Sequence, residues 1–469
     1  MLRRVCALLV LLTGVVCAQG PGQRSVSLIV TGGIVVTMDV GGRVLAPGAV
    51  AIDGRDIVAI DTPAAIAQQF TSGQTIDAAG RVVMPGLINT HTHAPMVLYR
   101  GLADDLALME WLEKYIFPAE AKTVSPEFVR AGTRLAALEM IQSGTTAYAD
   151  MYYFEEEIAR ATREAGIRGV LGQTIIQFPV PDAKTPAEGI ARATRFIKEW
   201  SKDELIVPAI APHSMYTLDS ATLKEIRAVA TREQAPVVIH LAETRDEVKV
   251  AREKYKSTPT QFLESIGFWG ARTIAAHGVH VTPADIQILA KRHVGLSHNP
   301  ESNMKLASGT SPVPALQTAG VVVGLGTDGA ASNNDLDMFE AMRQAAFLHK
   351  LTSNNPSALP AKTALRMATI DGARVLGLDR EIGSLETGKR GDLLVVSMAS
   401  ARQTPMYDPL SHLVYVTRGD DVQTVVVNGK ILMQDRKMLT LNERDVLAEA
   451  TSWSEKVRSA VGLKPLVNR

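Results

Sequence analysis

Between about residues 84 and 385, short apolar segments alternate eight times with amphipathic helical patterns. The apolar segments are rich in Val, Ile and Ala and short enough to be buried strands, whereas the intervening stretches follow the helical period. The predicted strands are Val83–His93, Thr145–Met151, Gly169–Ile175, Ile206–His213, Val237–Glu243, Thr273–His280, Val294–Asn299 and Val321–Asp328. Eight strand–helix units predict a distorted parallel (β/α)8 barrel, the TIM barrel, rather than an open sheet.

The two ends of the chain alternate apolar and polar residues between glycine turns, which is typical of antiparallel strands. This pattern covers residues 25–83 near the N-terminus and returns at residues 386–437. We therefore predict a small β-sandwich domain built from both chain ends around a barrel domain at residues 84–385. A helical amphipathic pattern over about 442–461 predicts a C-terminal helical segment within residues 438–469.

Residues 1–18 have the organisation of a secretory signal peptide. Arg3 and Arg4 precede an apolar stretch, and small residues ending at Ala18 offer a cleavage site before Gln19. The stretch is too short to be a stable transmembrane helix. The prediction is an exported protein, in the bacterial periplasm.

Lipidation of Cys17 is an alternative interpretation, but Val15 and Val16 are a poor match to a lipoprotein site. The chain has only two cysteines, Cys6 and Cys17, and both lie in the predicted signal peptide. The mature protein is therefore predicted to have no disulfide, no thiolate metal ligand and no cysteine nucleophile.

Composition excludes some classes of partner. The 469 residues are 46% hydrophobic and 21% charged, as in an ordinary globular enzyme. Lysine plus arginine equals aspartate plus glutamate at 49 each. Without a basic surplus we expect neither a nucleic acid nor an anionic membrane as partner. The oligomeric state stays open, a homo-oligomer included.

Candidate metal ligands stand at the C-terminal ends of the predicted barrel strands. His91 and His93 end the first strand, His240 ends the fifth, and Asp328 ends the eighth. The two-residue spacing puts His91 and His93 on the same strand face, and the strand ends converge on one side of a barrel. Three imidazoles and a carboxylate leave one position open for water. The sequence therefore predicts a metal-dependent hydrolase.

Other polar residues flank this predicted site. Glu243 lies three residues after His240, near enough to act beside the metal as a general acid/base without binding it. Asp328 is predicted to accept the proton of the attacking water as well as to hold the metal. His277 ends the sixth strand and either orients the nucleophile or stabilises a developing alkoxide. His213 ends the fourth strand.

Six motif regions occur in order between about residues 30 and 435. They are Pro85–Met96, Pro212–Ser214, His240–Thr244, Ala275–His280, Ser297–Pro300 with Ser302–Leu306, and Gly324–Asn334. In these segments the chain resembles the amidohydrolase superfamily, specifically its methylthioadenosine/S-adenosylhomocysteine deaminase group. The resemblance implies zinc, with iron as the alternative, on the four ligands named above.

The resemblance also implies roles for other residues. Glu243 would protonate a ring nitrogen of the substrate, and His277 would contact the attacking water. His213 would meet the purine ring, and Glu120 would hold the ribose hydroxyls. Two-metal amidohydrolases usually carry a bridging lysine or glutamate at the end of the fourth strand, so His213 predicts a single metal ion.

One departure bears on the substrate. Members of the group that prefer S-adenosylhomocysteine use arginines after the third strand to bind its carboxylate. Here Gln173 stands at one such position as a candidate substrate contact, residues 169–191 contain no arginine, and Lys184 is a weak substitute. Adenosine-type substrates with small or neutral 5′ groups, such as methylthioadenosine, are therefore predicted to be preferred.

Several functions remain open from the sequence. The leading hypothesis is an aminohydrolase that removes an exocyclic amine from a purine nucleoside or related N-heterocycle as ammonia. Guanine, pterin and triazine deamination, triazine dechlorination and cyclic-amide hydrolysis are alternatives on the same scaffold. An exported metal-binding module without turnover is the alternative from another class. Glu243 and His277 argue against such a module, since metal storage needs neither.

Overall fold

The computed structural model describes residues 22–464, so the predicted signal peptide lies outside it. Eight parallel strands form a sheet in which each strand neighbours the next one in sequence. They span Leu87–Thr92, Thr145–Tyr152, Arg168–Ile175, Ile206–Pro212, Val237–Leu241, Thr273–His277, Gly295–His298 and Val323–Leu325. Each corresponds to one predicted strand, and the (β/α)8 barrel is confirmed.

The barrel is distorted where its first and last strands meet, because the described chain has no strand ladder between Leu87–Thr92 and Val323–Leu325. Single hydrogen bonds bridge the gap instead. The backbone N–H of Asp328 donates to the carbonyl of His91 at 2.9 Å, and the Thr90 hydroxyl donates to the Leu325 carbonyl at 2.9 Å. Two predicted metal ligands are thus joined directly through their backbones.

A second sheet, of nine strands, combines both ends of the chain. Its strands are Leu28–Val36, Val44–Asp53, Asp56–Asp61, Thr75–Asp77, Arg81–Pro85, Leu393–Ser397, Val422–Val427, Lys430–Gln434 and Lys437–Met438. Arg81–Pro85 pairs with Leu393–Ser397 in antiparallel register and so joins the two ends. A small two-stranded sheet, Arg24–Val26 with Phe70–Ser72, lies beside it.

The first predicted barrel strand is in fact two strands. Residues 81–85 belong to the terminal sheet, and the barrel begins only at Leu87. Gly86 separates them, and a Cβ at this position would overlap the side chain of Thr146. The sequence does not show this change of sheet, because the buried residues on both sides of Gly86 form one continuous apolar run.

Helices cover the barrel and the loops at its C-terminal face. The α-helices are Pro63–Gln69, Leu108–Trp111, Phe117–Thr123, Pro126–Gln142, Glu155–Ala165, Pro186–Trp200, Ser220–Arg232, Arg245–Tyr255, Pro259–Ser265, Pro283–Lys291, Pro300–Lys305, Val313–Thr318, Met338–Thr352, Ala361–Met367, Ile370–Leu376, Pro409–Tyr415 and Glu443–Ala460. A π-helical turn spans Leu112–Ile116, and 3-10 turns span Ala94–Tyr99, Ala401–Gln403 and Gly419–Asp421. Ser125 and Thr282 cap their helices through their hydroxyls, as the sequence indicates.

A buried ion pair fastens the barrel to the terminal sheet. Nε of Arg168, at the start of the third barrel strand, lies 2.6 Å from Oδ2 of Asp392, and both side chains are almost completely buried. The Arg168 guanidinium also donates to the Asn428 side chain at 2.9 Å, and Asp392 accepts the Asn428 N–H at 2.6 Å. These bonds satisfy both charges inside the protein.

The C-terminal helix Glu443–Ala460 packs against the barrel helix Pro126–Gln142, where the rings of Phe128 and Trp453 meet edge to face at 5.4 Å. Within residues 22–464, no helix combines the length and apolar character needed to cross a bilayer.

Candidate active site

The four predicted metal ligands meet at the C-terminal ends of the barrel strands. Oδ1 of Asp328 lies 3.3 Å from Nε2 of His91 and 3.3 Å from Nε2 of His93. Nε2 of His240 lies 3.3 Å from Nε2 of His93. The structure therefore brings side chains from the first, fifth and eighth strands to a single point.

The donor set fits a divalent metal ion. Both ring nitrogens of His91 are buried and have no hydrogen-bond partner within the described residues. Ligand atoms of His91, His93 and His240 lie within 4.8 Å of one another, as do those of His91, His277 and Asp328. The imidazole nitrogens of His91 and His93 lie beside Oδ1 of Asp328, and the His240 nitrogen lies beside that of His93. A cation among these atoms would bind them and would satisfy the orphaned His91 ring.

The protonation states suit the same purpose. Burial lowers the pKa of His91 to about 4 and lowers the pKa of His240 well below its usual range, so both imidazoles are neutral at neutral pH. Burial would also lower the pKa of His93, but the hydrogen bond and charge of Asp328 raise it to about 9, so a metal ion would displace a proton from this ring. Burial alone would raise the pKa of Asp328, but the contacts from His91 and His93 hold it well below its usual range. Neutral imidazoles and an ionised carboxylate are the ligand forms that metals bind.

Hydrogen bonds behind the ligands fix which atoms face the centre. Nδ1 of His93 donates to the Met151 carbonyl at 2.6 Å. The hydroxyls of Ser302 and Ser332 donate to Oδ2 of Asp328 at 2.7 and 3.0 Å. Nε2 of His93 and Oδ1 of Asp328 are consequently left for the metal, in the outer-shell arrangement common to metal sites.

The predicted acid/base pair lies beside this centre. Oε2 of Glu243 is 3.8 Å from Nε2 of His277. Burial raises the pKa of Glu243, which favours a carboxyl that carries a proton. Nδ1 of His277 lies 3.0 Å from the amide oxygen of Asn303 and 3.3 Å from the amide nitrogen of Asn299. These contacts hold the ring with Nε2 on the side of the metal site.

A mostly apolar cavity leads to these groups. Its polar walls include Glu120, His213, Thr174 and Ser332, together with the metal-site residues. Its apolar and aromatic walls are Met96, Leu108, Trp111, Leu112, Ile116, Phe117, Met151, Tyr152, Tyr153, Tyr216, Leu306 and Ala331. A flat aromatic heterocycle matches such a lining, since apolar walls bind its faces while a few polar groups fix its orientation.

Glu120 lies in this cavity on the helix Phe117–Thr123. The Tyr152 hydroxyl donates to its Oε1 at 2.6 Å, and burial raises its pKa to about 7. The π-helical turn Leu112–Ile116 comes just before this helix and contributes Leu112 and Ile116 to the same wall.

The other two predicted substrate contacts have different positions. His213 lines the cavity, with its ring 4.7 Å from that of His240. Gln173 does not line the cavity: it is fully buried, and its amide donates to Asp182 at 2.9 Å. Thr174 borders the cavity in its place, because successive strand residues point to opposite sides. This geometry gives no support to direct substrate contact by Gln173.

Among the described residues that line the cavity, none is a lysine or an arginine. Arg192 is engaged with Glu156 and lies 3.2 Å from Asp182. Lys184 is exposed and lies outside the lining. An adjoining outer groove contains a lysine, Lys254.

Several supporting residues escape prediction from the sequence. Tyr152, Ser332, Asn303 and Ser302 position the candidate catalytic groups through hydrogen bonds. Ser302, Asn303 and Ser332 lie within motif regions, and Ser332 is only four residues from its partner Asp328. The partners of Ser302 and Asn303 are far away in sequence. No local pattern in the chain connects them with those partners.

The barrel and its histidine–aspartate centre define a metal-dependent barrel hydrolase. A model of the amidohydrolase family matches residues 82–432, and the chain belongs to this family.

Relatives with named activities cover nearly the whole chain. A 5-methylthioadenosine/S-adenosylhomocysteine deaminase from Syntrophus aciditrophicus is 45% identical over 94% of this chain and 99% of its own length. A 5′-deoxyadenosine deaminase from Methanosarcina mazei is 43% identical over 92% of this chain and 99% of its own length. The crystal structure of an adenosine deaminase from Xanthomonas campestris with bound zinc superposes with a TM-score of 0.92, at 39% identity, over 93% of this chain and all of that one.

Proposed function

We propose that this protein is an aminohydrolase that converts the exocyclic amine of an adenosine-type nucleoside to an oxo group and releases ammonia. The observation that carries the proposal is the position of Glu243, a buried carboxyl facing His277 beside the metal-type centre and opening into an apolar cavity. Cyclic-amide hydrolysis has less need of this group, whereas deamination needs an acid next to a ring nitrogen. The relatives named above, all deaminases of adenosine or its derivatives, support the same reaction.

The residues proposed to hold the metal are His91, His93, His240 and Asp328. We propose one zinc ion per chain, because the end of the fourth strand offers His213 and no lysine or glutamate to bridge a second ion. The zinc in the Xanthomonas campestris structure supports this choice over iron. A divalent ion held here would lower the pKa of a water molecule toward neutrality and so supply a hydroxide nucleophile.

The protein's own groups would then move the protons. Asp328 takes one proton from the attacking water, and Nε2 of His277 orients that water toward the carbon that bears the amine. Glu243 gives its proton to the adjacent ring nitrogen, which makes that carbon more electrophilic. As the carbon–nitrogen bond breaks, the amine takes the proton held by Asp328 and leaves as ammonia. The new hydroxyl group gives its proton back to Glu243 and becomes the oxo group, so the reaction consumes one water in total.

Two further groups would orient the nucleoside. Glu120, whose carboxylate accepts a hydrogen bond from Tyr152, would accept hydrogen bonds from the ribose hydroxyls, and His213 would meet the purine ring; both residues line the cavity, which supports these roles. The aromatic walls favour a planar base. Because the cavity carries no lysine or arginine among its described lining residues, the 5′ group is proposed to be small or neutral.

A substrate panel tests this function. Ammonia release is measured for methylthioadenosine, 5′-deoxyadenosine, adenosine, S-adenosylhomocysteine, guanine, a pterin and an aminotriazine, chloride release for a chlorotriazine, and ring opening for a cyclic amide. We expect the adenosine derivatives to have the highest kcat/KM. A clear preference for guanine, a pterin or a triazine would mean that the substrate is that heterocycle and not a nucleoside. Metal binding without turnover of any compound would overturn the enzymatic proposal.

A further inference from the structure

Glu247 is a buried carboxylate that lies outside the cavity. It is only 3% exposed and stands in the first turn of the helix Arg245–Tyr255. Within residues 22–464 it forms no ion pair with a lysine or arginine. A buried carboxylate without a cationic partner is costly unless other groups bind both of its oxygens.

Those groups are two consecutive backbone amides. The N–H of Ala242 donates to Oε1 of Glu247 at 2.9 Å, and the N–H of Glu243 donates to Oε2 at 3.0 Å. A glutamate at this position of a helix usually turns back to the N–H of the capping residue, here Thr244. Glu247 reaches further, past Thr244, to the two residues just beyond the fifth strand.

The backbone held in this way is strained. Ala242 has a φ of 48°, in the left-handed region that residues with a Cβ avoid. Two strong acceptors on adjacent amides stabilise such a conformation, together with the Ala242 carbonyl, which accepts the N–H of His280 at 2.8 Å.

The conformation of Ala242 matters because Glu243 is the next residue in the chain. The Glu243 carboxyl makes no side-chain hydrogen bond closer than its 3.8 Å approach to His277 within the described residues, so its backbone largely sets its direction. We propose that Glu247 is a positioning residue, which clamps the Ala242–Glu243 backbone and thereby aims the Glu243 carboxyl at the reacting ring. This inference rests on the proposed role of Glu243 as the acid.

Replacing Glu247 by glutamine keeps the size and shape of the side chain. One amide oxygen still accepts an N–H, but the new NH2 group faces the other N–H and cannot bind it. We expect Glu247→Gln to lower kcat by about 10- to 100-fold with little change in KM, the scale of a small misalignment of a reacting group. Metal content is expected to equal that of the native protein.

The next strand–helix unit offers a matched control. Asp285 is 1% exposed and caps its helix, accepting the Thr282 N–H at 2.8 Å. Asp285→Asn removes a buried carboxylate acceptor of the same kind away from the cavity. We expect it to lower the thermal midpoint but to leave kcat within about twofold of native, as a purely structural change should.

A double-mutant cycle separates positioning from general damage. If Glu247 acts through Glu243, Glu247→Gln has almost no further effect on kcat in a Glu243→Gln background. An equal loss in both backgrounds, an unchanged kcat in Glu247→Gln, or an equal loss in Asp285→Asn would each overturn the proposal. If the glutamine variant does not fold, Glu247→Asp, which is too short to reach both amides, is run through the same cycle with the same criteria.

Amide hydrogen exchange gives a readout that is independent of the substrate. The amides of Ala242 and Glu243 should be protected in the native holoenzyme and should exchange faster in Glu247→Gln. Faster exchange supports the clamp even if the adenosine panel fails, in which case the cycle is run on the heterocycle that is turned over. Equal exchange in both proteins would overturn the clamp whatever the substrate.

Discussion

The carbonyl oxygen of His213 accepts a hydrogen bond from Nδ1 of His240 at 2.8 Å, and it also accepts the backbone N–H of His240 at 3.0 Å. A carbonyl can only accept, so Nδ1 of His240 carries the proton and the lone pair of Nε2 faces the metal site. The backbone carbonyl of His213 thus fixes the tautomer of the predicted metal ligand His240, while the His213 ring lines the cavity.

This relationship makes His240 a strong test of the metal site. We expect the purified protein to contain about one divalent metal ion per chain, and His240→Ala to lose metal and activity together. Elemental analysis beside an ammonia assay measures both. The exposed His293 provides the control, and His293→Ala should keep both. Two metal ions per chain in fully active enzyme would contradict the single-ion site.

Glu243 can be separated from metal binding. Glu243→Gln should keep the metal but lose about 10²–10⁴ in kcat, because general acid/base transfer contributes on that scale. The exposed Glu253, on the helix Arg245–Tyr255, gives a matched substitution, and Glu253→Gln should have native kcat. Steady-state kinetics, with the metal content measured in parallel, test this prediction. Near-normal turnover in Glu243→Gln would mean that Glu243 is not the general acid/base.

Arg168 tests how the terminal sheet is attached to the barrel. Arg168→Ala leaves Asp392 buried without its cation, and losing one partner of a buried pair costs about 3–5 kcal/mol. Urea unfolding should show this loss. Arg55→Ala removes a largely exposed pair with Glu204 and should cost less than about 1 kcal/mol. Equal effects of the two changes would show that burial of the Arg168 pair is unimportant.

Export rests on residues outside the described structure. We propose that the signal peptide at residues 1–18 is removed, which leaves a mature N-terminus near Gln19. Mass spectrometry of the protein from its native host measures the terminus, and fractionation measures the compartment. Intact residues 1–18 on protein from the cytoplasm would contradict export.

The barrel and its candidate ligands could be predicted from the sequence because both depend on local patterns. His91 and His93 end an apolar strand, and their two-residue spacing shows in the chain itself. The change of sheet at Gly86 could not be predicted, since buried strands on its two sides form one apolar run.

Contacts that depend on the conformation of the intervening backbone could not be predicted either. Nothing near Gln173 in sequence shows that Asp182 draws its amide away from the cavity. Glu247 extends past its own helix cap to the amide of Ala242, and this contact depends on the left-handed φ of Ala242. Sequence patterns do not predict a left-handed φ for an alanine.

Substrate choice follows from the charges around the cavity. S-adenosylhomocysteine ends in an amino acid whose carboxylate needs a cationic partner once it is buried. The described cavity lining has no lysine or arginine, Arg192 is engaged with acids, and Gln173 faces Asp182. A charge-assisted hydrogen bond is worth about 1.5–3 kcal/mol, and each 1.36 kcal/mol is roughly a factor of ten in rate.

We therefore expect kcat/KM for methylthioadenosine to exceed that for S-adenosylhomocysteine by about 10-fold or more, since the missing bond alone accounts for that factor. Lys254 in the outer groove is a candidate for a cation that binds the carboxylate of S-adenosylhomocysteine, so its substitution tests this prediction. If it met the carboxylate, Lys254→Ala would lower turnover of S-adenosylhomocysteine selectively, whereas we expect the same small effect on both substrates. A kcat/KM for S-adenosylhomocysteine well above that for methylthioadenosine would mean that a cation outside the lining reaches the 5′ end of the bound nucleoside.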